Sequence, residues 1–180
     1  MNYCVFGAAS DTVPEVYITQ TEYLGERMAA RGHGLIFGGG ATGMMGAAAR
    51  GVHRGGGAIV GVAPRFFDRP GVLTPLCTEL IFTDTMDERK SIMESRADGF
   101  IIAPGGVGTL DEFFEVLTLR SLGQTDKPVC LFNMAGFYDE LLLFLRKMED
   151  ERFITPTLWD CVGVFDDADA LLDAMEAAHP

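Results

Sequence analysis

The sequence predicts an α/β fold in which a doubly wound parallel sheet lies between two layers of helices. Two observations carry this. Seven short apolar runs, at 3–6, 35–37, 58–62, 80–82, 100–103, 129–132 and 162–165, recur along the chain. Between most of them lie longer stretches with helical spacing, such as Leu24 with Met28, or Leu141 and Leu142 with Leu145. The runs are apolar throughout instead of alternating, as expected of strands covered on both faces of a parallel sheet. No linker or repeat divides the chain, so residues 1–180 are expected to form one three-layer domain. Ligands of such sheets bind beyond the carboxyl ends of the strands. Both glycine-rich segments fall there.

Composition bounds the function. A length of 180 residues with 48% hydrophobic content suits one globular domain with a sizeable core. A formal charge of -12 argues against wrapping nucleic acid, whose phosphates demand Lys and Arg. One small anionic ligand remains compatible, because a local cluster of donors can outweigh the global field. Cys4, Cys77, Cys130 and Cys161 contain no C-x-x-C pair and are expected to be reduced thiols, with no metal or disulfide framework. No basic leader precedes the first strand-like run, and no apolar stretch approaches the roughly 20 residues of a membrane span. A cytoplasmic protein without a membrane partner is the expectation.

The first glycine segment, Gly38-Gly39-Gly40-Ala41-Thr42-Gly43, lies between a strand-like run and the small-residue stretch Met44-Met45-Gly46-Ala47-Ala48-Ala49. It fits G-x-G-x-x-G in a strand–loop–helix setting. The acidic residue that a dinucleotide site needs about 20 residues later is missing, since Val62-Ala63-Pro64-Arg65 stands there with no carboxylate before Asp68. Gly39, Gly40 and Gly43 therefore either approach a substrate phosphate or only let the chain turn and a helix pack closely.

The second segment, Pro104-Gly105-Gly106-Val107-Gly108-Thr109, leads into a helix whose Leu110, Phe113, Phe114 and Leu117 share one stripe. Glycine-freed amides at a helix N-terminus make an anion site. No Gly-Lys-Ser/Thr follows, which disfavours triphosphate hydrolysis. Glu112, three residues after Thr109, has two explanations: a capping box with Thr109 as N-cap, or a catalytic carboxylate.

The preceding segment, 86–97, bears on that choice. At about 100° per residue, Met86, Met93 and Ala97 share a face opposite Asp87, Glu88, Ser91, Glu94 and Ser95. Arg89 and Lys90 fall on the apolar side. Their stems either snorkel outward, or the cations are paired with a ligand phosphate or a carboxylate such as Glu112. The helix after the glycine loop also carries Val116 and Leu119 on the side of Glu112 and Glu115, which points to a homodimer or to cover from the same chain.

Met86-Asp87-Glu88-Arg89-Lys90 followed by Pro104-Gly105-Gly106-Val107-Gly108-Thr109-Leu110-Asp111-Glu112 resembles the paired M-x-x-R-K and P-G-G-x-G-T-x-x-E signature of the Lonely guy family. The similarity extends to the 38–46 glycine segment, to Leu122-Gly123 and to Lys127-Pro128-Val129. The resemblance implies a Rossmann-like homodimer that hydrolyses the N-glycosidic bond of adenosine monophosphate, or of an N6-substituted relative, to free base and ribose 5-phosphate. It implies Arg89 and Glu112 as catalytic pair. It implies substrate binding by Lys90 and by Gly105, Gly106, Val107, Gly108 and Thr109, to which Leu110, Asp111, Gly39, Gly40 and Gly43 are added as expected substrate-binding residues, and no cofactor or metal. Departures at Gly7-Ala8-Ala9-Ser10, at Asp87 and across 65–78 bear on base recognition.

Members of this family often carry a lysine decarboxylase label. Pyridoxal chemistry needs a Schiff-base lysine, and only Lys90, Lys127 and Lys147 exist. A non-catalytic carrier of a nucleotide-like cofactor is the alternative; it would have no use for an Arg89/Glu112 pair. Phe66 and Phe67 are candidates for a base pocket or for ordinary packing, Glu115 is a weak candidate acid, and His33 and His53 are expected to be surface or packing residues.

Overall fold

The computed structural model describes residues 1–179. The elements follow in the order β1 (Asn2–Phe6), α1 (Glu15–Ala30), β2 (Gly34–Phe37), α2 (Gly43–Arg54), β3 (Ile59–Pro64), β4 (Glu79–Thr83), α3 (Met86–Arg96), β5 (Gly99–Ile102), α4 (Val107–Ser121), β6 (Val129–Phe132), α5 (Asp139–Asp150), β7 (Gly163–Phe165) and α6 (Ala168–Ala177). Each of the seven apolar runs is a strand, shifted by at most two residues at an end. The strands form one sheet in the order β4-β3-β2-β1-β5-β6-β7, and every pairing is parallel.

Strand side chains point alternately to the two faces, so each run feeds two cores. Tyr3, Val5, Leu35, Phe37, Ile101 and Phe132 pack with α1, α2 and α6. Cys4, Phe6, Ile36, Phe100, Ile102 and Leu131 pack with α3, α4 and residues of α5. This double burial is why the runs lack polar alternation. No helix among the described residues is long and apolar enough to cross a membrane. The four cysteines are free, with Cys4 and Cys130 buried.

The small residues of α2 let two helix backbones touch. A Cβ on Gly25 of α1 would sit 2.5 Å from the Ala48 carbonyl oxygen, and one on Gly51 of α2 would overlap the Glu22 carbonyl. Backbone cannot yield as a flexible side chain can. Gly51→Ala is therefore expected to destabilise the protein by about 1–3 kcal/mol, measurable as a lowered urea midpoint at unchanged slope.

The stripe on α4 is rotated from its expected position. Phe113, Val116 and Leu117 are buried, Leu110 is half-buried and Phe114 is exposed. A 3-10 segment, Pro156–Cys161, packs on α4, and its Leu158, Trp159 and Cys161 join the core around Val116. Val116 is thus covered by its own chain and says nothing of a partner; Phe114 is the residue that faces outward. On α3, Glu94 is half-buried instead of solvated, and burial raises its pKa above the usual carboxylate value.

Candidate active site

The strand order reverses between β1 and β5, which opens a crevice beyond their carboxyl ends. The two chain segments leaving these strands are tied together. The Ala8 amide donates to the Pro104 carbonyl at 3.1 Å, and the Met44 amide donates to the Ala8 carbonyl at 2.8 Å. The Thr42 hydroxyl donates to the Ala9 carbonyl at 2.6 Å, which brings the first glycine loop alongside.

A cavity of about 440 Å³ lies in this crevice. One wall is Gly7, Ala8 and Ala9 with Gly38, Gly40 and Thr42. Another is Met86, Arg89 and Lys90 of α3 facing Gly108, Thr109, Asp111 and Glu112 of α4. The third is apolar: Met45 together with Phe67, Gly71, Val72 and Leu73 from the connection between β3 and β4. That connection is laced to the first glycine loop. The Ala41 amide donates to the Val72 carbonyl, the Thr74 amide donates to the Gly39 carbonyl, both at 2.9 Å, and Gly40 forms an isolated bridge with Leu73.

Arg89 and Glu112 form the centre of the site. Arg89 Nη1 donates to Glu112 Oε1 at 2.8 Å, and Arg89 Nε donates to the Val62 carbonyl at 3.1 Å. Their side chains are 9% and 11% exposed, so the pair is buried but open to the cavity. Burial pushes the Glu112 carboxyl above its ordinary value, and the adjacent Arg89 guanidinium only partly pulls it back. Of the two explanations for Arg89, pairing holds and outward snorkelling does not.

Lys90 lies beside it with Nζ 2.7 Å from Glu115 Oε2 and 3.3 Å from Asp111 Oδ2. The hydrogen bond with Glu115 is the main reason its pKa is raised. Asp111 and Glu115 are separated by one helical turn, so a single ammonium reaches both.

The Thr109–Glu112 capping box, one of the two explanations for Glu112, is absent. The two glycines 105 and 106 let α4 begin at Val107, with Gly106 as N-cap and no side-chain cap bond. Thr109 is then already the third helical residue, and Glu112 is a full turn inside. A capping motif does occur one helix earlier. Thr85 accepts from the Glu88 amide at 3.1 Å, and the Glu88 carboxylate accepts from the Asp84 amide at 3.0 Å. It fixes the start of α3 and with it the position of Arg89.

Of the residues singled out in the sequence, Arg89, Glu112, Lys90, Gly108, Thr109, Asp111 and Gly40 line the cavity. Gly105 stands behind it: a Cβ there would overlap the Thr109 hydroxyl. Val107 is 86% exposed, Gly106 borders open space, and Leu110 is half-buried away from the cavity. Gly39 and Gly43 have φ of +78° and +60° and serve the turn; a Cβ on Gly43 would overlap the Ala8 carbonyl. Phe67 is in the wall and Phe66 is not. His33 is buried at the opposite sheet end against Glu176, and His53 is exposed.

Met86, placed on the core face by its spacing, is the first residue of α3 and lies exposed at the cavity instead. Gly38 opens the glycine motif but was given no role of its own, and Val72 and Leu73 carried no signal for the site in sequence, since an apolar residue in a loop has many uses.

Residues 45–175 match the family model described as "Possible lysine decarboxylase". The chain is 40% identical over 176 residues to the cytokinin riboside 5'-monophosphate phosphoribohydrolase of Mycobacterium tuberculosis, covering 98% of this chain and 92% of that protein. It is 36% identical to an Arabidopsis thaliana protein of the same name, covering 98% and 83%. Among solved structures, the molybdenum cofactor carrier protein of Chlamydomonas reinhardtii superposes with a TM-score of 0.75 at 22% identity, covering 98% and 96%. The molybdenum cofactor binding protein of Rippkaea orientalis gives 0.75 at 20%, covering 98% and 95%. At such identities these two show a shared fold.

Proposed function

The chain belongs to the Lonely guy family of cytokinin riboside 5'-monophosphate phosphoribohydrolases, and we propose that it hydrolyses the N-glycosidic bond of adenosine monophosphate or an N6-substituted relative, releasing free base and ribose 5-phosphate. The observation that carries this is the buried Arg89–Glu112 pair on the wall of a cavity that also holds an uncapped helix start.

Cleavage at the ribose passes through an oxocarbenium-like state. The free amides at the start of α4, with the Thr109 hydroxyl, suit the 5'-phosphate. Glu112 faces the cavity with one oxygen held by Arg89, which leaves its other oxygen to accept a proton from the attacking water and to offset charge growing on the sugar. The wall of Met45, Phe67, Val72, Leu73 and Met86 suits the flat apolar faces of a purine.

The lysines do not fit pyridoxal chemistry. Lys90 is held protonated by Glu115 and Asp111, Lys127 donates to the Glu94 carbonyl at 2.7 Å, and Lys147 lies on α5 beside Glu151. Lys90, the lysine on the cavity wall, has its pKa raised by its carboxylate partners, away from the neutral amine that an aldehyde would need. The reading also includes a cytoplasmic homodimer acting on a small molecule, with the outward Phe114 of α4 as part of the contact between subunits.

The test is incubation with adenosine monophosphate and its N6-isopentenyl form, followed by chromatography for free base. Release of base with equimolar ribose 5-phosphate is the expected result; tight binding of intact nucleotide with no base released would make the protein a carrier. Phe67→Ala is expected to raise KM for the isopentenyl substrate roughly tenfold, as for a partly lost apolar contact, and to affect the unsubstituted nucleotide less. Competing the two substrates in one assay measures that ratio.

A further inference from the structure

We propose that Gly38 is a positioning residue, whose missing side chain is the seat of the Arg89 guanidinium. Gly38 is buried at the end of β2, and unlike Gly39 and Gly43 it does not have the positive φ that requires glycine. Turn geometry therefore does not explain it. Space does: a Cβ at this position would overlap Arg89 Nη2 and approach Arg89 Cζ to 3.3 Å. With Nε bonded to the Val62 carbonyl and Nη1 to Glu112, the flat guanidinium is held by β3 and α4, and its third nitrogen lies in the space left beside the bare backbone of Gly38. Arg89 Nη2 has no hydrogen-bond partner among the described residues, and it fills the space that a Cβ on Gly38 would take.

The first glycine loop thereby acquires a role apart from phosphate. Its first glycine sets where the cation on α3 meets the carboxylate on α4, while Gly39 and Gly43 shape the turn. One other side chain competes for the same space, since Met45 Sδ would lie 3.1 Å from the added Cβ. The experiment must separate the two.

The test compares the full chain with G38A, R89K, M45A and the doubles G38A/R89K and G38A/M45A, by thermal unfolding and by base release across pH. G38A is expected to lower Tm by roughly 4–8 °C. It should also lower kcat about 10- to 100-fold with KM little changed, as for a displaced catalytic group. The acid limb of its rate profile should move to higher pH, because Arg89 then lowers the Glu112 pKa less. Lysine ends short of the Nη2 position, so in the R89K background the alanine should cost little further stability, a non-additive pair. If G38A fails to fold, G38A/R89K should fold. Loss that persists in R89K and disappears in M45A would overturn the proposal, as would G38A indistinguishable from the native protein. The kinetic arm rests on the proposed reaction; the stability cycle does not, so it decides the role of Gly38 even if no nucleotide is cleaved.

Discussion

Glu112→Gln is expected to slow base release about 100- to 10,000-fold, while adenosine monophosphate binds within a few-fold of its native affinity. Glutamine keeps an oxygen for Arg89 Nη1, so the cavity wall changes little in shape. What it removes is the negative charge facing the sugar and the ability to accept a proton from water. The pH dependence follows from the same carboxyl. Burial raises its pKa in the folded chain, and the working form is ionised, so the acid limb of kcat/KM should lie above the ordinary carboxylate range. The sign for stability is opposite to that for activity. A carboxyl with a raised folded pKa contributes stability that is fully present below its unfolded value and is lost as pH rises through the folded one. In the proposed reaction Glu112 thus costs stability in the ionised state in which it would act, as functional groups often do. Steady-state rates by chromatography and binding by calorimetry check the split; native turnover in this variant would remove Glu112 from the chemistry.

Much of this site was legible in sequence because helical geometry is regular. Arg89 and Lys90 fell on the apolar side of a helix that ends next to β5, and a buried cation needs an anion. That reasoning made Glu112 one expected partner of Arg89, beside a ligand phosphate, with outward snorkelling as the alternative. It did not reveal that Lys90 is tied to Glu115 and Asp111, since three carboxylates lay within reach by spacing alone. Thr109 looked like a cap because Thr-x-x-Glu is the local signature. The choice of N-terminus was made by Gly105 and Gly106, which let the helix begin three residues earlier. Phe114 and Val116 exchanged places because cover for α4 comes from residues 156–161, some 40 positions away in sequence. The apolar wall was illegible for a similar reason: Gly40 and Leu73 meet through a bridge between two loops, and no periodicity announces it. The strands were read within two residues throughout, because burial on both faces leaves a signal that is local.

Arg89→Ala should give an activity loss whose size depends on pH, and that dependence tells how the arginine works. The guanidinium both orients Glu112 and lowers its pKa against the effect of burial. Without it the carboxyl pKa climbs further, because burial is then opposed by less positive charge. A rate roughly 100- to 1,000-fold below native at pH 7 is expected, with the deficit shrinking toward alkaline pH as Glu112 ionises. Stability should move the other way. Leaving a buried charge unpaired costs about 3–5 kcal/mol, but Glu112 avoids most of that while it holds a proton. The Tm difference from the native protein is therefore expected to be small at mildly acidic pH and to widen as pH rises. A pH-independent loss, carried mainly in KM, would mean that Arg89 contacts the substrate and does not act through Glu112. Arg89→Lys separates the two further. An ammonium near the carboxylate would restore part of the pKa effect and bring the acid limb back toward native, whereas a contact needing the planar fork of the guanidinium would stay lost.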